Sequence, residues 1–181
     1  MVYPMIIISD YVLVFKGNKI FIINITDVVP CPECEGELKY RDSRERIFRK
    51  YGGDTYWILV RRLKCCHCGR LHTELPDCLA PYKHYEIEVI ENVVDGVEEV
   101  VDTNSLEKEY PCDATRLRWK KWISKNKKNI NSQMKSIGFR ILGLGAELLS
   151  STASIVEILQ DEGEGWLSII IRTIYNSGNF I

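Results

Sequence analysis

Four of the seven cysteines in this 181-residue chain form two pairs with the spacing C-x-x-C. Cys31 and Cys34 lie in Cys-Pro-Glu-Cys-Glu-Gly, and Cys65 and Cys68 lie in Cys-Cys-His-Cys-Gly. Two thiolates at this spacing on a tight turn can bind one metal ion, and a nearby glycine allows the left-handed backbone that the turn requires. Four thiolates in a tetrahedron favour Zn²⁺, with iron as the alternative. We therefore predict one structural zinc ion bound by these four cysteines.

The other sulfur and imidazole groups are not expected to bind this metal. Cys66 does not have the spacing that the turn needs, so we expect it to point away from the site. Because four sulfur atoms complete the tetrahedron, His67 and His72 are interpreted as exposed or packing histidines. Cys78 and Cys112 are interpreted as buried small apolar residues. A closed four-sulfur site has no open position for water, so it indicates a scaffold and gives no support to hydrolysis.

The elements that would position the cysteines are predicted to be strands. Residues 5–29 contain β-branched and aromatic runs on both sides of the turn sequence 16–19, which predicts a β-hairpin or strand pair. Between the cysteine pairs, residues 44–64 predict a second hairpin, with Gly52 and Gly53 at its turn. A hairpin between two cysteine knuckles is the layout of a zinc ribbon, so we predict that fold for this part of the chain.

In the second half of the chain the hydrophobic period becomes helical. Apolar residues at i, i+3, i+7 and i+10 from Ile87 predict an amphipathic, acidic helix over about 84–95, ended by Gly96. Residues 98–112 are acidic and turn-like, and a second helix is predicted over about 114–126.

The second predicted helix has an aromatic face and a basic face. Trp119, Trp122 and Ile123 fall on one side, which we interpret as core. From Ala114 to Ala146 there are nine basic residues and no acidic one. A basic helix that follows an acidic helix is typical of the recognition helix of a helix-turn-helix. The predicted DNA contacts are Arg44, Arg46, Arg61 and Arg62 on the hairpin, and Arg116, Arg118, Lys120, Lys121, Lys125, Lys127 and Lys128 on and after this helix.

Three other interpretations of the basic helix stay open. Such a face could bind RNA, it could bind an acidic protein, or it could be a solvated surface that binds nothing.

Several short segments resemble an uncharacterised bacterial domain family. They are Cys-Gly-Arg-Leu-His at 68–72, Leu-Pro-Asp at 75–77, Pro-Tyr-Lys at 81–83 and Thr-Arg-Leu-Arg-Trp at 115–119. Members of this family join a zinc ribbon to a helix-turn-helix and are similar to the N-terminal DNA-binding regions of insertion-sequence transposases. The resemblance covers about residues 29–123. It implies a DNA-binding protein of mobile-element type, with the four C-x-x-C cysteines in the metal positions.

These observations predict an α+β chain in three parts. An N-terminal β-hairpin and zinc ribbon would occupy residues 1–80, an all-helical helix-turn-helix region residues 81–128, and a C-terminal helical segment residues 129–181. Neither a basic N-terminal leader nor an apolar stretch long enough for a bilayer is recognisable. We therefore expect a cytoplasmic, nucleoid-associated protein that does not contact a membrane.

The predicted function is zinc-dependent binding of double-stranded DNA, as a regulator or accessory factor of a mobile genetic element. A recombinase, a transposase or a second copy of the chain is a further candidate partner. We find no nucleophile–base pair and no room for a transposase catalytic domain, so we predict neither an enzyme nor a small-molecule substrate. The alternative function is a zinc-ribbon adaptor that docks on a polymerase or recombinase and pairs through its C-terminal helices.

Overall fold

The computed structural model describes residues 5–25, 29–50, 53–97, 111–141 and 143–181. Within them the chain forms a sheet followed by helices, which confirms the predicted mixture of α and β structure. The strands are β1 (Met5–Ile8), β2 (Tyr11–Phe15), β3 (Ile20–Ile25), β4 (Leu38–Arg49), β5 (Thr55–Cys65) and β6 (Leu71–Pro76). The helices are α1 (Ile87–Asp95), α2 (Asp113–Arg140), α3 (Glu147–Ser150), α4 (Ile155–Glu162) and α5 (Trp166–Asn176).

The sheet is organised around the long strand β5. One edge of β5 pairs with antiparallel β4, and the other edge pairs first with parallel β3 and then with antiparallel β6. Strand β2 adds antiparallel to β3, and β1 adds parallel to β6. The strand pairs of both predicted hairpins, β2–β3 and β4–β5, are therefore confirmed, whereas Gly52 of the second predicted turn lies outside the described residues.

Alternation along β5 explains why this segment is a strand. Ile58 and Val60 are buried in the core, whereas Trp57, the residue before Ile58, is 39% exposed. A period of two residues places one set of side chains on the inner face and the other on the outer face. The hairpin thus has a packed side and a solvent side, and its far end carries the cysteine knuckles.

The first two helices differ from their predicted bounds. Helix α1 begins at Ile87 and ends before Gly96, whose φ of 74° allows its N–H to reach the carbonyl of Asn92. The prediction that the second helix ends near residue 126 is wrong, because α2 continues to Arg140. Ile130 and Ile137 are buried and prolong its apolar face at helical spacing.

Contacts between α1 and α2 are described, but their connection is not. The two helices pack against each other, and just before α1 the ring of Tyr85 meets that of Trp119 on α2 edge to face, with centroids 4.8 Å apart. Residues 98–110 of the segment that was predicted to be acidic and turn-like, 98–112, lie outside the described residues. The helix-turn-helix therefore stays a prediction, and the predicted boundary between residues 128 and 129 falls inside α2.

The C-terminal helix α5 closes the core against β1 and α2. Ile170, Ile171 and Ile174 are buried in the same hydrophobic cluster as strand and α2 residues. The side-chain amide of Asn176 accepts from the N–H of Ile7 at 2.7 Å and donates to its carbonyl at 2.8 Å. This amide satisfies backbone groups of β1 that no strand pairs. None of the described helices has the combination of length and apolar character needed to cross a membrane.

Candidate metal centre and basic surfaces

The first cysteine pair lies in a tight turn just before β4. The N–H of Glu35 donates to the carbonyl of Cys31 at 2.8 Å, and the N–H of Cys31 donates to the carbonyl of Gly36 at 3.0 Å. Glu35 has a φ of 57°, a conformation that costs a residue with a side chain about 1–2 kcal/mol. Gly36 serves a different purpose, because a Cβ there would lie 2.8 Å from the ring of His67. In this knuckle the left-handed residue is therefore Glu35 and not the glycine.

The second pair, between β5 and β6, repeats the same hydrogen bonds. The N–H of Gly69 donates to the carbonyl of Cys65 at 3.2 Å, and the N–H of Cys65 donates to that of Arg70 at 2.9 Å. Here the left-handed residue is a glycine, with φ of 71° at Gly69. The Sγ of Cys65 accepts from the N–H groups of Cys68 at 3.5 Å and His67 at 3.4 Å. These donors lower the pKa of Cys65 to about 6 and so favour the thiolate, and the N–H of Cys68 has the largest effect.

The two knuckles bring four sulfur atoms together. The Sγ atoms of Cys31 and Cys68 are 3.8 Å apart, and those of Cys34 and Cys65 are 3.5 Å apart. All four lie within 4.8 Å of one another. Zn–S bonds of about 2.3 Å in a tetrahedron place the sulfur atoms about 3.8 Å apart. These four cysteines are therefore positioned to hold a metal ion, and the donor set and spacing fit zinc.

The site has a buried half and an exposed half. Cys31 and Cys65 are buried, whereas Cys34 and Cys68 are exposed. Burial raises the pKa of Cys31, because a thiolate loses hydration there. A bound cation offsets this cost by stabilising all four thiolates, so metal affinity and the folded turn depend on each other.

His72 contacts the buried half of the site. Its Nε2 lies 3.3 Å from the Sγ of Cys31, and its ring is buried. Burial lowers the pKa of His72, which favours the neutral imidazole, and a thiolate acceptor requires a proton on Nε2. Metal ligands are commonly oriented by such neighbours. The spacing of the cysteines carried no signal for this contact, but the alternation of β6 places His72 and Glu74 on the same face of the strand, and both are buried.

The remaining cysteines lie outside the group of four thiols. Cys66 is exposed, as predicted, and its N–H donates to the carbonyl of Glu37 at 2.9 Å. Cys78 is partly buried, which raises the pKa of its thiol to about 11. The prediction that Cys112 is buried is wrong: it is exposed just before α2, with its Sγ 3.4 Å from the hydroxyl of Thr115.

Two of the hairpin arginines predicted to contact DNA bind protein groups. The guanidinium of Arg46 donates to the carbonyls of Ala80 and Lys83, both at 2.6 Å. Burial lowers the pKa of Arg46 to about 10. Arg61 donates from Nε to the buried carboxylate of Glu74 at 2.6 Å. Both side chains stabilise the connection of the hairpin to its surroundings.

The other two hairpin arginines differ from each other. Arg62 donates two N–H groups to the carboxylate of Asp42, and this hydrogen bonding lowers the pKa of Asp42. Arg44 is exposed on β4. Among the four predicted hairpin contacts, Arg44 thus has the most accessible charge.

The outer face of α2 carries the predicted contacts that are accessible. Lys127 forms an ion pair with Glu157 at 2.6 Å, and Arg116 is half-buried at the edge of the helix. The opposite face of α2 is anchored by the buried side chains of Trp119 and Ile123. The exposed members, which define the outer face, are Arg118, Lys120, Lys121, Lys125 and Lys128.

A groove of about 610 Å³ continues this basic surface toward the C-terminal end of α2. It lies between α2 and the segment 151–154, and three lysines line it: Lys127, Lys128 and Lys135. The Nζ of Lys135 donates to the carbonyl of Ser151 at 2.5 Å. Sequence reasoning missed Lys135 because it ended the helix near residue 126.

Comparison with known proteins gives one match. Residues 31–119 match the family described as Domain of unknown function (DUF6431). The match begins at the first cysteine of the candidate metal site, ends at Trp119 on α2, and covers about half of the chain. No curated protein and no solved structure matches the chain. A DUF6431 domain of unknown function therefore covers residues 31–119.

Proposed function

We propose that this chain is a zinc-dependent DNA-binding protein without a catalytic domain. The observation that carries the proposal is the outer face of α2, where five exposed cations lie on one helix and are opposed by no acid between Ala114 and Ala146. Such a face neutralises phosphates and releases counterions, which supplies most of the affinity of non-specific DNA binding.

The packing of α2 supports this proposal. Trp119 and Ile123 attach the first half of the helix to the core, and Ile130 and Ile137 attach the second half. The helix is therefore held along its length while its cations face solvent. A rigid helix with a basic outer face matches how helices are presented to the major groove.

The metal would act as a scaffold in this function. Four cysteine ligands complete the tetrahedron of a structural zinc ion and leave no position for substrate. The ion would join the turn before β4 to the turn after β5, and so fix the end of the hairpin. We therefore propose no enzymatic activity.

The experiment is fluorescence anisotropy of zinc-loaded protein on random duplex DNA, at low and near-physiological salt. We expect binding that weakens steeply as salt rises. Lys120→Ala with Lys121→Ala should weaken binding and reduce the slope of log affinity against log salt by about 1.8. Lys16→Ala with Lys19→Ala, at the β2–β3 turn, removes the same charge and is the matched control. Absence of binding at both salts would contradict the proposal.

The narrower biological role rests on the resemblance to transposase DNA-binding regions. It is that of a regulator or accessory factor of a mobile element, located with the nucleoid. A recombinase or transposase would then be the protein partner. Such a partner should co-purify with tagged protein from cells. Loss of the partner after nuclease treatment would indicate an association through DNA, and its retention would indicate a direct association.

A second candidate function, a protein adaptor, is favoured by apolar residues near the end of α2. Phe139 and Ile141 are 41% and 61% exposed, and Leu144 and Leu149 are 49% and 48% exposed. Apolar side chains clustered on a surface often mark protein contacts. Light scattering tests this function: a strict monomer that binds DNA would favour the first proposal over self-association.

A further inference from the structure

An open groove lies beside the second cysteine knuckle, at the metal end of the β4–β5 hairpin. Its volume is about 750 Å³, and the second knuckle, 65–69, forms one wall. The other wall consists of Lys39, Tyr40 and Arg41 on β4 and Lys64 on β5. None of these four residues belongs to the DNA contacts predicted from the sequence.

Lys39 and Lys64 lie directly opposite each other in the β4–β5 ladder. Like charges at directly opposed positions destabilise a strand pair. Lys64 makes no ion pair within the described part of the chain, and Lys39 has only Glu37, at 3.9 Å with both side chains mostly exposed. The folded protein therefore keeps an unfavourable pair of charges at this position, as expected where an anion is to be bound.

A β-bulge shapes the same wall. The register of β4 and β5 shifts between Tyr40 and Asp42, so Arg41 has no direct partner on β5. Bulges bend a strand and redirect its side chains, and they are over-represented beside functional sites. The side chain of Tyr40 is left 61% exposed. An exposed aromatic ring thus lines the same groove as three cations.

Nearby acids offset this charge only in part: Glu37 is 3.9 Å from Lys39, and Asp42 is shared between Arg41 and Arg62. The described residues that line the groove include no acidic one. Asp42 is held by Arg62 and lies 3.8 Å from Arg41, and Glu33 is paired with Arg70 at 2.6 Å. The groove is therefore electropositive.

We infer that this groove is a second nucleic-acid contact, in which Lys39, Arg41 and Lys64 bind phosphates and Tyr40 packs on a sugar or on an unpaired base. Cations that follow the backbone and aromatic rings that stack are the common elements of such sites. The inference rests on the proposed DNA binding and adds a contact remote from α2. Lys39 is seven residues along β4 from Arg46, which contacts the loop before α1, and this separation is about 23 Å.

The test measures DNA affinity and stability together, with the zinc-loaded full chain and the fluorescent random duplex used above. Lys39→Ala with Lys64→Ala should weaken binding roughly tenfold at physiological salt and reduce the salt slope by about 1.8. Because it removes a repulsive pair, it should not lower the melting temperature. A purely structural role for the lysines predicts the reverse: lower stability and unchanged affinity.

Tyr40 and Arg41 provide the second set of variants. On a single-stranded probe of random sequence, Tyr40→Ala should weaken binding about 5-fold to 100-fold, as expected for one lost stacking contact, whereas Tyr40→Phe should bind like the parent. Arg41→Ala gives an independent variant if the double lysine variant loses zinc. Unchanged affinity of these variants, together with weakened binding by Lys120→Ala with Lys121→Ala, would overturn the groove and leave DNA binding through α2 standing. Absence of binding by the parent would overturn both.

Discussion

Arg46 on the β4–β5 hairpin and Lys121 on α2 show how differently two basic regions of this molecule use positive charge. Arg46 is turned inward and donates to two carbonyls of the loop before α1. Lys121 is exposed on a helix whose opposite face is packed on the core. A count of basic residues treats them alike, but only the second is free to meet a phosphate. What separates them is the set of polar groups that the fold places within reach.

The two regions also differ in what holds them. The metal end of the hairpin contains two turns with exposed Cys34 and Cys68, whereas α2 is held by buried Trp119, Ile123, Ile130 and Ile137. The two turns would depend on a metal ion bound by their cysteines, whereas a helix with an apolar face depends on packing.

Removal of the metal should give the largest effect and should separate the two regions. A chelator that removes zinc would break the metal–sulfur bonds that join the two knuckles. We therefore expect the hairpin end to lose about 5 kcal/mol or more of stability. Hydrogen exchange should show lost protection for the knuckles and β4–β5, with α2 still protected. Cys66→Ser is the control and should keep the metal. Unchanged exchange at the knuckles after verified zinc removal would contradict a structural metal.

Arg46→Gln should give the next largest effect. Two charge-assisted hydrogen bonds at 2.6 Å are lost and two carbonyls lose their partner, which should cost about 2–4 kcal/mol of unfolding free energy. Lys121→Gln, the matched variant on α2, should change stability by less than about 0.5 kcal/mol. Urea unfolding measures both. Equal effects at the two positions would show that the contrast between the regions is wrong.

The pairing of Asp42 with Arg62 predicts a smaller, pH-dependent effect. Arg62 lowers the pKa of Asp42 below its unfolded value of about 3.9. The contribution of the pair is therefore complete above that value and is lost as the pH falls through the lower folded pKa. In melting curves between about pH 2 and pH 5, Asp42→Asn should lose less stability on acidification than the parent. Asp10→Asn, outside the hairpin, is the control; the same acid sensitivity in parent and Asp42→Asn would contradict the role of the pair.

Local patterns predicted much of the sheet and the site. Each C-x-x-C knuckle is held by hydrogen bonds between residues at most five positions apart, so the sequence predicts it without knowledge of the rest of the fold. The same holds for the two hairpins and for the face with Trp119 and Ile123.

Contacts between residues far apart in the sequence could not be predicted from local patterns. The partners of Arg46 lie 34 and 37 residues away, and that of Arg61 lies 13 away, in another strand. The Arg61 pair depends on the register of the sheet, which the sequence of one strand does not define, and the Arg46 contacts depend on where the loop before α1 returns to the hairpin. The extension of α2 was missed for another reason: residues 127–129 are all polar and interrupt the apolar face, which resumes with Ile130, Met134 and Ile137.

The central claim is that α2, and not the inward-facing hairpin arginines, contacts DNA. It is tested most directly by the slope of log affinity against log salt for two single-charge variants, Lys121→Ala and Arg61→Ala, on the same duplex. Each removes one cation, but Arg61 is committed to Glu74. The account predicts a slope smaller by about 0.9 for Lys121→Ala and an unchanged slope for Arg61→Ala. A reduced slope for Arg61→Ala with an unchanged slope for Lys121→Ala would contradict it.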